Sequence, residues 1–348
     1  MSHDARNAPS RLIDVAHEAG VSRMAAAHVL NGTGGSTVRV SEATRQRVLE
    51  IARRLHYRPN RIAQQLRGAR SRMLGVIYDT WNLPVMSARL AALEQEASRR
   101  QYRLMIGQVR RDPAGIREYL DDFEGRGVEG IICLFDLMRG YDRQLRPLFH
   151  PGLRVVFYGK PILDDAGCVR VDTADGVRQA VAHLLDRGRK RPALVMWNAA
   201  DEKSALRREG YRDEMKGRGL PVDRKLMWSA GSRSGTPSQD VLDRAIETLV
   251  RERRADALIA DDDVWAVRLI QRLKDRGCRV PDDVAVVGYD NLELATVIDP
   301  PLTTMDQDHD ACARAMLGLL LEMVEQDGKP LARREITIKP KLIVRKST

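Results

Sequence analysis

The sequence contains few of the residues that would indicate an enzyme, a metalloprotein or a disulfide-rich protein. It has four cysteines among 348 residues, and they form neither a CxxC motif nor a Cys/His pair. No GxSxG, P-loop or HExxH motif is present. We therefore expect reduced thiols, no metal, no cofactor and no catalytic activity. The cysteines are Cys133, Cys168, Cys278 and Cys312.

Long hydrophobic runs are also lacking. No apolar stretch approaches the roughly 18 residues that a membrane-spanning helix needs. The first ten residues are polar and do not resemble a signal peptide. These features predict a soluble, cytoplasmic protein without a membrane partner.

The basic charge is concentrated near the amino terminus. Residues 1–72 contain 13 arginines, no lysine and five acidic residues, a net charge of +8 within a chain total of +10. Clustered arginine on a small domain is typical of phosphate binding. On charge alone, a basic surface that merely faces solvent remains open.

The same region has the pattern of a small helical domain. Gly20 supplies the turn after a first helix, and Ser22 is expected to cap a second helix at Arg23–Leu30. Ser41 is expected to start a third helix that extends to Leu55. The pattern is that of a helix-turn-helix, whose second helix usually enters the DNA major groove. The predicted apolar face of the third helix is Ala43, Val48, Ile51, Ala52 and Leu55.

A short fourth helix is predicted at 60–67, after Pro59 and before Gly68. Eight residues are too few for a stable isolated helix, so this segment is expected to fold only when docked.

From Met73 onward, strands and helices alternate, which predicts parallel sheets covered on both faces. About 270 residues are too many for one such core, so the fold class is an α/β core of two doubly wound subdomains that face a cleft. The predicted strands are 74–78, 103–108, 130–134, 154–158, 193–197, 257–260 and 284–288, and the predicted helices are 87–100, 113–124, 175–185, 204–218, 239–251 and 264–276.

Six blocks, in order over 300 residues, carry a resemblance to a known family. They are Asp14-Val15-Ala16 with Ala19-Gly20-Val21-Ser22 and Val29-Leu30-Asn31, Tyr57-Arg58-Pro59-Asn60, Arg207-Arg208-Glu209-Gly210-Tyr211, Val280-Pro281-Asp282-Asp283-Val284, Val286-Val287-Gly288-Tyr289-Asp290, and Pro300-Pro301-Leu302-Thr303-Thr304. With them the chain resembles the LacI/GalR (lactose-repressor/galactose-repressor) transcription regulators. The resemblance implies a homodimer that binds a palindromic double-stranded DNA operator, and a periplasmic-binding-protein-like core that is controlled by a small-molecule effector.

The family pattern also divides the chain. It implies a helix-turn-helix domain at 1–58, a hinge helix and linker at 59–72, a first core subdomain at 73–170 with 302–332, and a second at 171–301 with 333–348. The chain is expected to cross between the subdomains three times, near Val171, Pro301 and Arg333. No heptad extension follows the core, so a dimer rather than a tetramer is expected.

By resemblance, the start of the second helix reads the DNA bases. Arg23 is expected to offer a two-pronged hydrogen bond to guanine, and Met24 an apolar contact. The family's usual Thr-Val-Ser-Arg is replaced here by Ala25-Ala26-Ala27-His28, which removes candidate phosphate contacts and predicts an atypical operator. The three alanines are equally compatible with a purely structural role, since they favour helix. The predicted DNA contacts are Ser22, Arg23, Met24, His28, Asn31, Tyr57, Asn60, Ala63, Gln64 and Leu66.

Leu66 is the most specific of these predictions. In the family, paired hinge helices lie in the minor groove and wedge a leucine into the central base step, which bends the DNA. We expect Leu66→Ala to leave nonspecific binding intact and to lose most of the operator affinity.

The resemblance places the effector between the core subdomains. Arg207 and Asp290 are expected on opposite sides of the cleft, where they hold a ligand hydroxyl or carboxylate, and a plain salt bridge is the alternative. Tyr158 is expected either to stack on the ligand or to pack in the core. Arg233 favours an anionic ligand, and Asp261-Asp262-Asp263 has the pattern of a helix amino terminus. The predicted effector contacts are Asp79, Trp81, Arg207, Arg233, Asp262, Trp265 and Asp290.

These features together predict an allosteric DNA-binding repressor. A sugar, a nucleobase or a small acid fits the effector role, and the residues do not decide whether it releases or promotes DNA binding. A DNA-binding regulator controlled by a protein partner remains the main alternative. A small-molecule carrier without DNA function fits residues 73–348 alone, but it leaves the basic helical start unexplained.

Overall fold

A computed structural model gives the fold of the protein. It describes residues 10–31, 39–59, 65, 68–79, 83–109, 113–134, 142–150, 152–163, 166–200, 202–231, 236–326 and 334–348. The chain forms two compact units, Met1–Ser71 and Arg72–Thr348.

Among the described residues of the first unit, three short helices surround a small core. They are α1 (Leu12–Glu18), α2 (Arg23–Asn31) and α3 (Glu42–Arg54). The turn after α1 uses Gly20 at φ +64°, a conformation that glycine adopts without strain. The Ser41 hydroxyl accepts a hydrogen bond of 3.2 Å from the backbone of Thr44, and so caps α3 as predicted. The buried core is Val15, Ala19, Val29, Val48, Ile51 and Ala52.

One residue of the predicted apolar face of α3 lies elsewhere. Ala43 is exposed, whereas Val48, Ile51 and Ala52 are buried. Ala43 lies in the first turn of α3, before the helix contacts its neighbours. Its side chain is small, so its exposure leaves little apolar surface in water.

The second unit is built of alternating strands and helices. Its strands are β1 (Met73–Asp79), β2 (Arg103–Val109), β3 (Ile131–Leu134), β4 (Val155–Tyr158), β5 (Gly167–Val171), β6 (Pro192–Met196), β7 (Met227–Ser229), β8 (Ala257–Ala260), β9 (Ala285–Tyr289), β10 (Thr303–Asp306), β11 (Glu335–Ile338) and β12 (Lys341–Ile343). Its α-helices are α4 (Leu83–Arg99), α5 (Pro113–Gly125), α6 (Asp142–Leu145), α7 (Thr173–Asp186), α8 (Glu202–Gly217), α9 (Gln239–Ile246), α10 (Asp263–Asp275), α11 (Leu294–Val297) and α12 (His309–Glu325).

The twelve strands form two six-stranded sheets. The order is β11-β5-β4-β3-β1-β2 in the first sheet and β12-β10-β9-β8-β6-β7 in the second. The pairings are parallel, apart from the antiparallel pairing of β10 with β12. Separate hydrophobic clusters cover the two faces of each sheet, which is why the inner strands β3, β4, β6, β8 and β9 are buried along their whole length. The α/β fold class predicted from the sequence is confirmed.

The chain passes between the sheets three times, after β5, after β10 and after β11. The crossing near Val171 agrees with the sequence prediction. The crossings expected near Pro301 and Arg333 are wrong, because β10 pairs with β9 in the second sheet and β11 pairs with β5 in the first. The first subdomain therefore takes α12 and β11 from the late part of the chain, and the second takes β10 and β12.

The reason lies in the local signals. The prolines at 300 and 301 end the connection from α11, and the chain then completes another strand of the same sheet before it leaves. β10 has the sequence Thr-Thr-Met-Asp, without the apolar run that made the equally short strands β3, β4 and β8 recognisable. Strands β5, β7 and β12 were also not among the predicted strands.

Two local features differ from an ordinary α/β unit. The predicted helix 239–251 is α-helical only to Ile246 and continues as a π-helical turn at Glu247–Glu252. A Cβ added to Gly210 of α8 would lie 2.1 Å from the carbonyl oxygen of Ala174 in α7, so glycine is what allows these two helices to approach.

The residues after β12 are tied into the second sheet. The Ser347 hydroxyl donates to the carbonyl of Val286 over 2.6 Å and accepts from the backbone N–H of Thr303 over 2.8 Å. The Ser347 side chain is fully buried, so this residue is part of the core of the second subdomain. No helix in the described part of the chain combines the length and apolar character needed to cross a membrane.

Candidate functional site

Helix α2 exposes one side to solvent near its amino terminus and buries the opposite side. The Ser22 hydroxyl accepts a hydrogen bond of 3.1 Å from the backbone of Ala25, which confirms the predicted cap. Arg23 is exposed, and Met24 is 65% exposed. Ala26 and Val29, on the opposite side of the helix, are buried in the three-helix core. This end of α2 therefore presents an apolar side chain next to a positively charged one.

Tyr57 lies next to this surface. Partial burial raises the pKa of its hydroxyl, while the nearby positive charge of Arg23 acts to lower it. The structure thus brings together two predicted DNA contacts that are distant in sequence. Tyr57 is held in place because its backbone N–H donates to the carbonyl of Ala52, at the end of α3, over 2.9 Å.

His28 is less available than the prediction implied. Its Nδ1 is shielded from solvent and has no hydrogen-bond partner within the described residues. His28 therefore offers DNA at most its other ring nitrogen, in place of the broad guanidinium that the family resemblance would supply. Asn31 is the last residue of α2. The predicted contacts Asn60, Ala63, Gln64 and Leu66 lie outside the described residues, so the hinge stays a prediction.

In the second unit, the carboxyl edges of the two sheets face each other. The chain leaves the first sheet after β5 and after β11, and leaves the second after β10, so all three crossings lie at these edges. This is where ligands bind in open parallel sheets. Asp79 ends β1, Asp290 follows β9 and Asp262 lies between β8 and α10, so three predicted effector contacts are at the cleft.

Arg207 is committed to a carboxylate of its own subdomain. Its guanidinium forms an ion pair of 3.0 Å with Asp261 and donates to the Asp261 carbonyl over 2.6 Å. It also lies 4.5 Å from the centre of the Tyr289 ring, at the range of a cation–π contact. The prediction that Arg207 and Asp290 occupy opposite sides of the cleft is wrong, because α8 and β9 belong to the same subdomain.

Asp262 and Asp263 are carboxylates buried at the amino terminus of α10. Asp262 accepts from the backbone of Trp265 over 2.8 Å and is 4% exposed. Burial, followed by the charge of Asp290, raises the pKa of Asp262 to about 8. Asp263 is fully buried and accepts from the Thr304 hydroxyl and from the backbone of Leu292 over 2.7 Å. Burial also raises the pKa of Asp263 well above its usual range. The predicted helix-terminus role holds, but in a buried setting that the sequence did not reveal.

Asp290 combines burial with an unusual backbone. Its φ is +110°, a conformation that L-residues seldom adopt and that tends to mark functional positions. The side chain is 5% exposed, and burial raises its pKa to about 6 despite the positive charges of Arg89, Lys203 and Arg207. Its carboxylate accepts a hydrogen bond from Gln307.

The predicted aromatic contacts have different outcomes. The Trp265 ring is 1% exposed and packs against Trp197, with ring centres 5.2 Å apart, so it belongs to the core rather than to a stacking face. Trp81 and Arg233 lie outside the described residues. Tyr158 ends β4 with its ring beneath the Arg89 guanidinium, 4.0 Å from the ring centre.

Arg89 and Gln307 were missed by the sequence prediction. Arg89 lies on α4 and is 2% exposed, and Gln307 directly follows β10 and is 4% exposed. A signal was present for Arg89, which lies between Met86 and Leu93 on the apolar face of its helix. Gln307 could have been found as the polar residue after a strand, had β10 been recognised.

Two family models match the chain. The model of bacterial regulatory proteins of the lacI family covers residues 11–60, and that of periplasmic binding protein-like domains covers residues 181–348. The repressor PurR of Mannheimia succiniciproducens is 27% identical over 334 residues, 96% of this chain and 97% of the relative. The regulator DegA of Bacillus subtilis is 28% identical over 353 residues, 97% of each chain.

Solved structures agree with these matches. The lac repressor dimer bound to operator and the anti-inducer ONPF is 24% identical with a TM-score of 0.80, covering 98% of this chain and 99% of that one. A complex of the regulator CelR with cellobiose is 26% identical with a TM-score of 0.68, covering 97% of this chain and 100% of that one.

The chain therefore joins a lacI-family helix-turn-helix domain at residues 11–60 to a periplasmic-binding-protein-like domain at residues 181–348. The relatives PurR and DegA are a transcriptional repressor and a transcriptional regulator.

Proposed function

We propose that the protein binds a palindromic operator as a homodimer, and that a small molecule bound between the two core subdomains controls this binding. The observation that carries the proposal is the surface at the start of α2. There a capped helix exposes Arg23 and Met24 while its other face completes the core. A helix held this way presents rigid side chains to base edges.

The operator is expected to be unusual for the family. Ala25 and Ala27 are half-buried and Ala26 is in the core. Because an alanine side chain is a methyl group, none of the three offers a hydroxyl to the phosphates. Arg23 therefore carries a larger share of the sequence reading, with about 1–3 kcal/mol expected for a two-pronged contact with guanine.

Exposed apolar side chains support the dimer. Val297 on α11 is 76% exposed, and Ile106 on β2 is 50% exposed. β2 is an edge strand of the first sheet, with one side free of other described strands. Burial of Val297 and Ile106 against a second copy of the chain would remove apolar surface from water. The two-fold symmetry of such a dimer would then favour a palindromic DNA site.

The cleft supports control by a small molecule. Polar groups from both sheets meet there, and a ligand that prefers one arrangement of the subdomains shifts the population toward it. The energetic coupling to DNA binding is expected to be about 1–3 kcal/mol. The candidates for a ligand screen are a sugar, a nucleobase and a small acid.

The test starts from the purified full-length protein and a pool of random DNA duplexes. Repeated selection should enrich a palindrome, and its affinity should fall steeply with salt, since phosphate contacts release counterions. Arg23→Met should then lose about 10- to 100-fold affinity for that palindrome and lose discrimination at one base pair of each half-site.

Arg45→Met is the matched control, because Arg45 is an exposed arginine of α3 and its loss removes the same charge. It should weaken binding to all duplexes to a similar, small extent. The proposal fails if selection enriches no sequence, or if the two variants have the same effect on every duplex.

A further inference from the structure

One hydrogen-bonded chain of side chains crosses the cleft. The Arg89 guanidinium donates to the Tyr158 hydroxyl over 2.9 Å and to the side-chain carbonyl of Gln307 over 3.1 Å. The Tyr158 hydroxyl donates to the same Gln307 oxygen over 2.9 Å. The Gln307 amide nitrogen in turn donates to the carboxylate of Asp290.

The members of this chain come from different subdomains. Arg89 is on α4 and Tyr158 ends β4, and both elements belong to the first subdomain. Asp290 follows β9 of the second subdomain, and Gln307 lies in the second crossing, between β10 and α12. Movement of one subdomain against the other must therefore break or stretch these bonds, since hydrogen bonds weaken steeply with distance and angle.

The chain is also well protected from water. The four side chains are each at most 5% exposed. Inside a protein such bonds are stronger than in water, and a donor or acceptor left unmatched there is costly. We therefore expect these four hydrogen bonds to form together or break together, as in a switch with two states.

The charge of Arg89 reaches groups on both sides. It acts to lower the pKa of Asp290, which belongs to the second subdomain. Burial, followed by the charge of Arg89, lowers the pKa of His309 to about 3. The same charge also opposes the rise of the pKa of Cys312 on α12. The charge of Arg89 thus acts on groups of both subdomains, with burial as the larger influence on each of them.

We propose that Arg89 is a positioning residue that latches the two subdomains together through Tyr158, Gln307 and Asp290, and that the effector acts by changing whether this latch is closed. The proposal rests on the proposed function, because it specifies how the same cleft controls DNA binding. An effector can do this only by binding one arrangement better than the other.

The test measures the distance between the subdomains directly. Spin labels attached through Ser98→Cys on α4 and Lys216→Cys on α8, both exposed positions, report on one subdomain each. Cys278→Ser removes the half-buried native thiol, while the other cysteines are buried. Distances are recorded for the full-length protein and for Arg89→Met, Arg89→Lys and Tyr158→Phe in this background.

Arg99→Met is the control, because Arg99 lies on the same helix with a side chain that is 59% exposed. We expect Arg89→Met to broaden or shift the distance distribution, Tyr158→Phe to do so less, and Arg89→Lys to restore part of the original distribution, since lysine can remake only some of the bonds. Arg99→Met should reproduce the parent. The latch variants should also change affinity for the selected palindrome about 5- to 150-fold.

A purely structural role for Arg89 would lower the unfolding temperature of Arg89→Met and leave the distance distribution unchanged, and that result overturns the proposal. If Arg89→Met does not fold, Tyr158→Phe decides, since it removes a single hydroxyl. The two proposals fail separately: a protein that selects no DNA refutes the proposed function, whereas the distance measurement needs no DNA.

Discussion

The two functional regions of this protein are built in opposite ways. At the start of α2, Arg23 and Met24 are exposed, and the helix beneath them is held by a cap and by a small apolar core. In the cleft of the second unit, Arg89, Arg207 and Asp290 are each at most 5% exposed and are already bonded to other residues of the protein. The first region is prepared to meet a partner, and the second is occupied by its own polar groups.

This difference separates stability from function. Side chains exposed to water contribute little to folding, so Arg23 and Met24 can change without loss of the fold. Buried charged groups must be matched, so a change in the cleft alters the stability of the core and, if the proposed function holds, the response to a ligand as well. We expect substitutions in the two regions to be distinguishable by this criterion.

The largest effect is expected at Arg207. Arg207→Met breaks an ion pair in which the two side chains are 6% and 13% exposed. The Asp261 carboxylate then loses the positive charge of Arg207. Loss of one partner of a buried pair typically costs about 3–5 kcal/mol. Chemical denaturation at pH 7, followed by circular dichroism, measures the free energy of unfolding.

The control for Arg207 is Arg178→Met. The Arg178 ion pair with Asp175 is on the surface of α7, with an arginine side chain that is 49% exposed. Such pairs contribute less than about 1 kcal/mol. If the two variants lose the same stability, the contrast between buried and exposed charges does not hold here.

The next effect is expected at Asp262 and depends on pH. The folded-state pKa of about 8 lies above the ordinary value of 3.8, so the favourable contribution of this group is complete below about pH 4 and is lost as pH rises to about 8. Asp262→Asn keeps an oxygen to cap α10 and removes the ionisation. The variant should be more stable than the wild type at pH 9, by on the order of 3 kcal/mol, with a flatter stability profile between pH 4 and 8.

Thermal unfolding across this pH range tests the Asp262 prediction. Asp283→Asn is a useful comparison, because the ion pair with Arg279 lowers the pKa of Asp283 to about 2 and gives the opposite sign. A wild-type profile that does not decline from pH 5 to 8 would contradict the buried, protonated state of Asp262.

The smallest effect is expected at Ser22. Ser22→Ala removes the cap of α2 and should destabilise the first unit by about 1 kcal/mol, without a change in the second. Hydrogen exchange at the amides of α2 in the full-length protein measures this locally. Ser22→Asn should retain most of the protection, since asparagine is an equally good cap. Equal loss of protection in both variants would show that the hydroxyl acts through another contact.

The sequence predicted the exposed region better than the buried one. Gly20, Ser22 and Ser41 are local signals whose consequences, a turn and two caps, depend on neighbouring residues only. The long buried strands β1 and β9 were found for the same reason, since a run of apolar residues between turn signals is visible without the fold.

The cleft was harder to predict because its contacts are remote in sequence. Arg89 and Gln307 are separated by 218 positions, and their bond depends on the second crossing, which was placed too early. Asp262 was recognised as a helix-terminal carboxylate, but its burial depends on sheet packing. Arg207 was predicted to face Asp290 across the cleft and pairs instead with Asp261, because a sequence shows that a charge exists and not which charge it meets.

The late strands have a consequence for how the protein is made. β11 completes the first sheet and β12 completes the second, although both sheets begin far earlier in the chain. Neither subdomain can close its sheet until residues beyond 335 have left the ribosome. The nascent chain must then wait with two unfinished sheet edges, the kind of surface that misassociates and that chaperones bind. We therefore expect the demand on chaperones during synthesis to depend on these two strands, which together contain only seven residues.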